Sequence, residues 1–218
     1  MITRAEENYL KAILKLSEDR ENSISTNAIA DELSTKASSV TDMIKRLTDK
    51  QLVDYIPYHG VSLTEEGLKK AIEVIRKHCL WEVFLVNKLN FQWDEVHDVA
   101  EQLEHIRSAK LVNALDKFLG FPKHDPHGEP IPNKKGQFPR SFSQPLSVLS
   151  VGAKGQVIGV AQDNPVFLKY LDSLNITLGT MVKVIKKIDF DLSMEIKIND
   201  KHIQISNDVA INLLIKEQ

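Results

Sequence analysis

Ser25-Thr-Asn-Ala-Ile-Ala-Asp-Glu-Leu33, followed by Ser34-Thr-Lys-Ala37 and Ser38-Ser-Val-Thr-Asp-Met-Ile-Lys-Arg-Leu-Thr-Asp-Lys50, is the stretch that decides the fold. Ser25 is a capping residue ahead of a short helix that turns Ile29, Ala30 and Leu33 inward. After the four-residue turn, a second helix from about Ser38 to Lys50 opens on two candidate caps, Ser38 and Ser39. It buries Val40, Met43, Ile44 and Leu47 on one face. Two short helices across a brief turn, the second with small polar residues at its start, form the helix-turn-helix pattern.

On the N-terminal side, Tyr9, Leu10, Ile13, Leu14 and Leu16 predict an amphipathic first helix. On the other side, Leu52-Val-Asp-Tyr-Ile-Pro-Tyr58 reads as a strand, His59-Gly60 as a turn and Val61-Ser-Leu-Thr64 as a return strand. That order describes a winged helix-turn-helix with double-stranded DNA as its partner. Ser38, Ser39, Thr41 and Asp42 could enter a major groove. Lys36, Lys45 and Arg46 suit phosphates, and Tyr58 and His59 at the wing tip suit the backbone or minor groove. Lys36 to Lys50 holds four cations against two acids, a basic island in a chain of net charge −2. The whole-chain balance gives nucleic-acid binding no support, so that reading rests on the motif.

The 218 residues suffice for one or two domains, and 42% hydrophobic with 27% charged residues is ordinary for a globular protein. No apolar run reaches the roughly 18 residues of a membrane span, and residues 1–7 carry no signal-peptide core, so a cytoplasmic location is expected. The single cysteine, Cys79, excludes an intrachain disulfide and an all-thiolate zinc site, and reads as a small core residue.

Two long helices are expected next, from about Thr64 to Leu89 and from about Trp93 to Leu119. The first has His78 and Glu82 one turn apart, with Val74, Ile75, Trp81, Phe84 and Leu85 supplying more apolar surface than one stripe needs. Such excess suggests a second subunit, and a homodimer would suit an operator with two half-sites. In the second helix His97, Glu101, Glu104 and His105 share an arc of about 100° on a helical wheel. That arc has no Lys or Arg, and Glu101 and Glu104 repel unless a cation neutralises them. A divalent metal is the alternative to a merely solvated face.

From Gly120 to Pro145 lie six of the eight prolines, marking irregular chain and a boundary. Within it, His124-Asp125-Pro-His127-Gly128-Glu129 is richer in metal-ligand types than a plain linker needs. Beyond it, β-type runs at 146–149, 156–161, 181–188, 194–198 and 202–205 surround one helix, 166–174, with Gly152, Gly155 and Gly179 at tight corners. This suits a small SH3-like barrel. The fold class is α+β, divided as 1–75, a winged helix-turn-helix; 76–144, a helical domain with its Pro-rich linker; and 145–218, the barrel.

The ordered set of helix-turn-helix, wing, His78-Cys-Leu-Trp-Glu82-Val-Phe-Leu, Val96-His97-Asp and Glu101-x-x-Glu104-His105 resembles the diphtheria toxin repressor and manganese transport regulator family. The resemblance implies a dimeric repressor of metal-uptake genes, activated by metal for a palindromic operator. It implies Glu101, Glu104 and His105 as ligands on the main metal-binding helix, with Asn8 on the first helix, where relatives carry Met or Asp. It implies His78, Glu82 and His97 as a second site. Longer manganese-responsive members have Cys-Pro-His-Gly where this chain has Asp125-Pro-His127-Gly128, so Asp125 and His127 inherit ligand roles. The barrel of related proteins lends a ligand from just before its helix, and Asp163 holds that position. Manganese-specific members carry Glu where this chain has Lys11, so their two-metal arrangement does not transfer unchanged. With Glu at 101, Asp at 125 and no sulfur in this set, Mn(II) is favoured and Fe(II) comes second.

Two rivals stand beside this reading. One is a winged-helix regulator of an organic ligand, with the His/Glu face solvated. The other is a metallohydrolase, but His-x-x-Glu-His is needed and position 101 is Glu, so no enzyme is expected.

Overall fold

The computed structural model describes residues 2–18, 23–56, 59–139 and 143–217. The chain forms two compact units, Met1–His78 with Glu101–Asn113 and Pro132–Gln137, and Cys79–Ala100 with Ala114–Ile131 and Phe138–Gln218.

The first unit begins with α1 (Arg4–Glu18), α2 (Thr26–Glu32) and α3 (Ala37–Asp49). Ser25 caps α2 as expected, its hydroxyl accepting from the Ala28 amide at 3.1 Å. The cap of α3 is not Ser38 or Ser39. Lys36 occupies that position without a side-chain bond, and both serines sit exposed inside the first turn. Val40, Ile44 and Leu47 line the buried face of α3 and meet Leu10 and Ile13 of α1 and Ile29 of α2 in one core. Each fully buried Leu or Ile contributes about 2 kcal/mol, enough to hold a short helix that would not persist alone.

The wing is β1 (Val53–Ile56) antiparallel to β2 (Gly60–Leu63). Ile24 adds a bridge on the other edge through paired 2.8 Å backbone bonds with Val61. Tyr58 lies outside the described residues. Helix α4 (Glu65–Leu89) starts where expected, because the Thr64 hydroxyl accepts from the Gly67 amide at 3.0 Å.

The long helix expected from Trp93 to Leu119 is two. α5 (Val96–Leu103) ends in a turn closed by the Ile106 amide on the Leu103 carbonyl, and α6 (Ala109–Phe118) opens on Ser108. The Ser108 hydroxyl accepts from the Leu111 amide at 3.2 Å, so Ser108 acts as a helix start inside what the periodicity reads as one helix.

The described residues of the linker are irregular, as its prolines require, apart from a bridge between His124 and Pro130 and a two-residue strand at its end. The C-terminal part is a six-stranded antiparallel sheet in the order β3 (Gln144–Pro145), β8 (Leu213–Glu217), β4 (Lys154–Val160), β5 (Met181–Lys187), β6 (Met194–Ile198) and β7 (Lys201–Ile205). It has α7 (Pro165–Ser173) as its expected helix, capped by Asn164. The run at Leu146–Leu149 is a single 3-10 turn rather than a strand, and it buries Leu146 and Leu149 three residues apart. Three elements were not expected from the sequence, β3, α8 (Asn207–Asn212) and β8, whose Leu-Leu-Ile is too short to announce itself. Gly155 lies within β4, where a Cβ would strike the Ile215 side chain, and not at a corner.

Candidate metal centre and DNA-binding surface

The sequence places four ligands on one helical arc; the fold divides them. Because α5 stops at Leu103, Glu104 and His105 leave on turn backbone, and they belong with α1 in the first unit while His97 lies in the second.

In the first unit, Lys11 of α1 reaches the carboxylates from Glu101 and Glu104. Its ammonium is 2.8 Å from Glu104 Oε2, 3.3 Å from Glu101 Oε1 and 3.3 Å from His78 Nδ1. His78 Nδ1 also lies 2.7 Å from Glu104 Oε2. Burial would raise the Glu104 carboxyl, but the His78 and Lys11 contacts outweigh it and bring the group below its usual range. His105 Nδ1 is 2.6 Å from Glu7 Oε2, and Lys77 Nζ is 3.8 Å from Glu7 Oε1. Burial lowers the Lys77 ammonium despite the charges of Glu7 and Glu104. Neither Glu7 nor Lys77 is singled out by the sequence. Glu7 precedes Asn8 directly, so its ligand type is visible there and its partner is not. Asn8 sits one turn before Lys11 on α1, and its Oδ1 is buried without a hydrogen bond.

The second unit gathers the other set around Glu82 of α4. Glu82 Oε2 is 3.2 Å from His127 Nδ1, Glu82 Oε1 is 3.6 Å from His97 Nδ1, and His97 Nδ1 is 3.3 Å from Asp163 Oδ2. Asp163 precedes α7 and is the residue expected to come from the barrel side. Ligand atoms of Glu82, Asp125 and His127 all lie within 4.8 Å of one another, with the three residues buried. Asp125 Oδ1 accepts from the His127 and Glu129 amides, while Oδ2 is buried with no hydrogen bond. Burial, then the charges of Glu82 and Glu129, push the Asp125 carboxyl up to about 8. Burial works against the His127 cation, but the hydrogen bond and charge of Glu82 carry it to about 9. His127 Nε2 meets the Trp93 carbonyl at 2.7 Å, and the two rings stack with centroids 6.2 Å apart.

Cys79 is fully buried as expected, yet a ligand atom of it lies within 4.8 Å of those of Asp125 and Glu129. A sulfur therefore stands beside a set that the sequence presents as free of one. Burial, then the nearby carboxylates, push that thiol well up.

These donors are oxygens and imidazoles, which suit a first-row divalent ion. The buried Asp125 oxygen without a hydrogen bond is a donor that such an ion would satisfy.

On α3, Ser38, Ser39, Asp42, Lys45 and Arg46 are exposed, and Lys36 stands exposed at its start. Thr41 turns its hydroxyl back to the Ala37 carbonyl at 3.0 Å, and Lys45 stands 3.9 Å from Asp42. Lys50, counted in the basic island, is clamped on Glu6 at 2.7 and 2.8 Å. His59 is exposed at the wing tip.

Residues 1–61 match the iron dependent repressor N-terminal DNA binding domain, 64–133 the iron dependent repressor metal binding and dimerisation domain, and 144–217 the FeoA domain. The chain belongs to the iron-dependent repressor family. This places it among metal-dependent transcriptional repressors, and nothing favours the organic-ligand reading. A solved manganese-dependent transcriptional repressor, in complex with manganese, is 33% identical, covers 98% of this chain and 100% of its own, and superposes with a TM-score of 0.88. The iron-dependent repressor IdeR of Mycobacterium tuberculosis (strain ATCC 25618 / H37Rv) is 34% identical over 126 residues, 58% of this chain and 54% of IdeR. A probable metal transport system membrane protein of Chlamydia trachomatis serovar D is 42% identical over 76 residues, 35% of this chain and 17% of that protein. The chain thus spans about half of IdeR and less of the Chlamydia protein.

In the repressor, the loop carrying Asp125 and His127 is seated by Gly128. Its φ is +88°, and a Cβ there would collide with the Ile158 carbonyl and Gly159 Cα. Gly128→Ala is expected to cost about 2 kcal/mol or more and to lower the melting temperature accordingly. An unchanged melting temperature would show that the loop is not held as described.

Proposed function

We propose that the repressor couples a divalent ion, Mn(II) before Fe(II), to binding of a palindromic operator by a homodimer, and so controls metal-uptake genes. The observation that carries this is the buried Glu82–Asp125–His127 triangle with an unsatisfied carboxylate oxygen. His97 and Asp163, joined to it through Glu82, complete one ligand set. Asn8, Glu101, Glu104 and His105 form the other, with His78 against Glu104. A bound divalent ion supplies there the positive charge that lets these carboxylates stay ionised and close together. Asn8 lies on α1, which packs in the same core as α3, so ligand capture at the Glu101–His105 segment bears directly on the seating of α3. Metal and DNA then favour the same state of that unit.

On α3, Ser38, Ser39, Thr41 and Asp42 face base edges, and Lys36, Lys45 and Arg46 take phosphates, with His59 at the wing and Tyr58 its neighbour in sequence. Thr41 reads through its methyl, since its hydroxyl is bonded within the helix. Leu111 and Phe118 are exposed seven residues apart on α6, an apolar stripe that fits the dimer contact. We place the working boundaries at 1–75, 76–144 and 145–218. The reaction is binding, with no chemical step, and its place is the cytoplasm; among the described residues no helix is long and apolar enough to cross a membrane.

The test is operator DNA from a metal-uptake gene, titrated with the repressor in Mn(II), anaerobic Fe(II), Zn(II) and chelator. Mn(II) and Fe(II) are expected to tighten binding by about 10- to 100-fold over chelator. Equal affinity in all four would sink the metal reading, and a larger gain with Fe(II) would reverse the order of preference.

A further inference from the structure

The Glu101–Glu104 pair already has a cation. Three groups surround the Lys11 ammonium within 3.3 Å, and its side chain is only 17% exposed. Glu104, its nearest partner, is 1% exposed and carries His78 on the same oxygen. Lys77 stands against the remaining carboxylate of that cluster, Glu7. Around Glu82 the arrangement differs: Asp125 Oδ2 is buried without a hydrogen bond and with the Cys79 thiol near the carboxyl, and Glu82 faces the imidazoles of His127 and His97. The two sets therefore present unlike surroundings to an incoming cation.

We propose that Lys11 is a tethered counter-cation that occupies the Glu101–Glu104 pair, holding α1 to the Glu101–His105 segment without metal and making this set accept a divalent ion only when the ammonium leaves. The proposal rests on the metal-dependent reading above. An ammonium and a dication compete for the same carboxylate oxygens, because at about 4 Å a dication repels the ammonium more than one carboxylate oxygen draws it in. The four-carbon stem of lysine lets the head swing into water without moving the helix, so the exchange needs no unfolding. The consequence is unequal filling: the Glu82–Asp125–His127 set takes the first ion, and the Lys11 set takes a second at higher concentration. This gives the repressor a threshold, with α1 partly docked at low metal and fully fastened only once Lys11 is displaced.

The experiment counts Mn(II) by electron paramagnetic resonance of the free ion, on the full chain and on Lys11→Met, Lys11→Gln and Lys11→Arg, alongside melting temperatures in chelator. Wild type is expected to bind one ion per chain tightly and a second at least tenfold more weakly. Lys11→Met and Lys11→Gln should tighten the second ion about tenfold and melt lower in chelator, because Glu101 and Glu104 then lack their cation. Lys11→Arg should keep the wild-type isotherm. Either neutral variant suffices if the other does not fold. Two equal ions in wild type, or neutral variants with its isotherm and melting temperature, overturn the role of Lys11 and leave the metal reading standing. If neither wild type nor the neutral variants bind Mn(II), both fall.

Discussion

In His105→Ala the tightening of operator binding by Mn(II) is expected to disappear, a loss of about 100-fold at saturating metal, while the metal-free fold survives. His105 Nδ1 meets Glu7 of α1 at 2.6 Å, so the ring ties the segment after α5 to the helix that shares a core with α3. Removing it leaves Glu7 beside Lys77, still paired, and the apolar core of the unit is untouched. Far-UV circular dichroism in chelator should therefore match wild type, with a melting temperature lower by a few degrees for the lost Glu7 contact, and operator affinity in chelator should not change. Electrophoretic titration with and without Mn(II) measures the effect. A variant that still responds normally to metal removes His105 from the ligand set.

The second large effect is on protons. In the metal-free repressor Asp125 is pushed up to about 8 and His127 to about 9, so at pH 7 both hold a proton. A ligand atom must be deprotonated to bind metal, so uptake at pH 7 should release close to two protons per ion at the Glu82 set. Apparent affinity then rises with pH by up to about 100-fold per unit below 8, by about tenfold from 8 to 9, and levels off above. The stability of the metal-free form runs the other way. The raised His127 stabilises the fold below its unfolded value of about 6.5 and loses that contribution as pH passes 9, and the raised Asp125 loses its own as pH rises from the usual 3.8 through 8. Metal-free protein should thus weaken toward alkaline pH, where the metal-loaded form gains. Calorimetry of Mn(II) binding in two buffers of different ionisation enthalpy counts the protons, and Asp125→Asn should reduce the count by one. No proton release at pH 7 would mean that Asp125 and His127 are not ligands.

Much of the helical half was legible because its signals are local. Ser25 caps α2, Thr64 caps α4, and the apolar spacing of Val40, Ile44 and Leu47 gives α3 its buried face. Where local signals mislead, they do so for a physical reason. The periodicity from Trp93 to Leu119 reads as one helix since Glu-His-Ile-Arg-Ser interrupts no apolar stripe; Ser108 divides it by capping α6. Leu146 and Leu149 look like a strand because both are buried, but three-residue spacing closes a turn as easily. β8 escaped since its backbone is defined only by pairing with β3 and β4, residues far away in the chain.

The sequence by itself determined the residue types of both candidate ligand sets, the winged helix-turn-helix, the Pro-rich boundary and the presence of Lys11 where manganese-specific relatives carry Glu. Side-chain chemistry and short-range spacing are written directly in the chain, and no folding is needed to read them. Only the tertiary structure decided how those residues are shared out. It brought Asp163 to His97 and Asp125 to Glu82, put Cys79 beside Asp125, and turned Lys11 onto Glu101 and Glu104. Each of these is a contact between elements remote in sequence. Their distances come from core packing and from where α5 ends, and no periodicity within one segment carries that information.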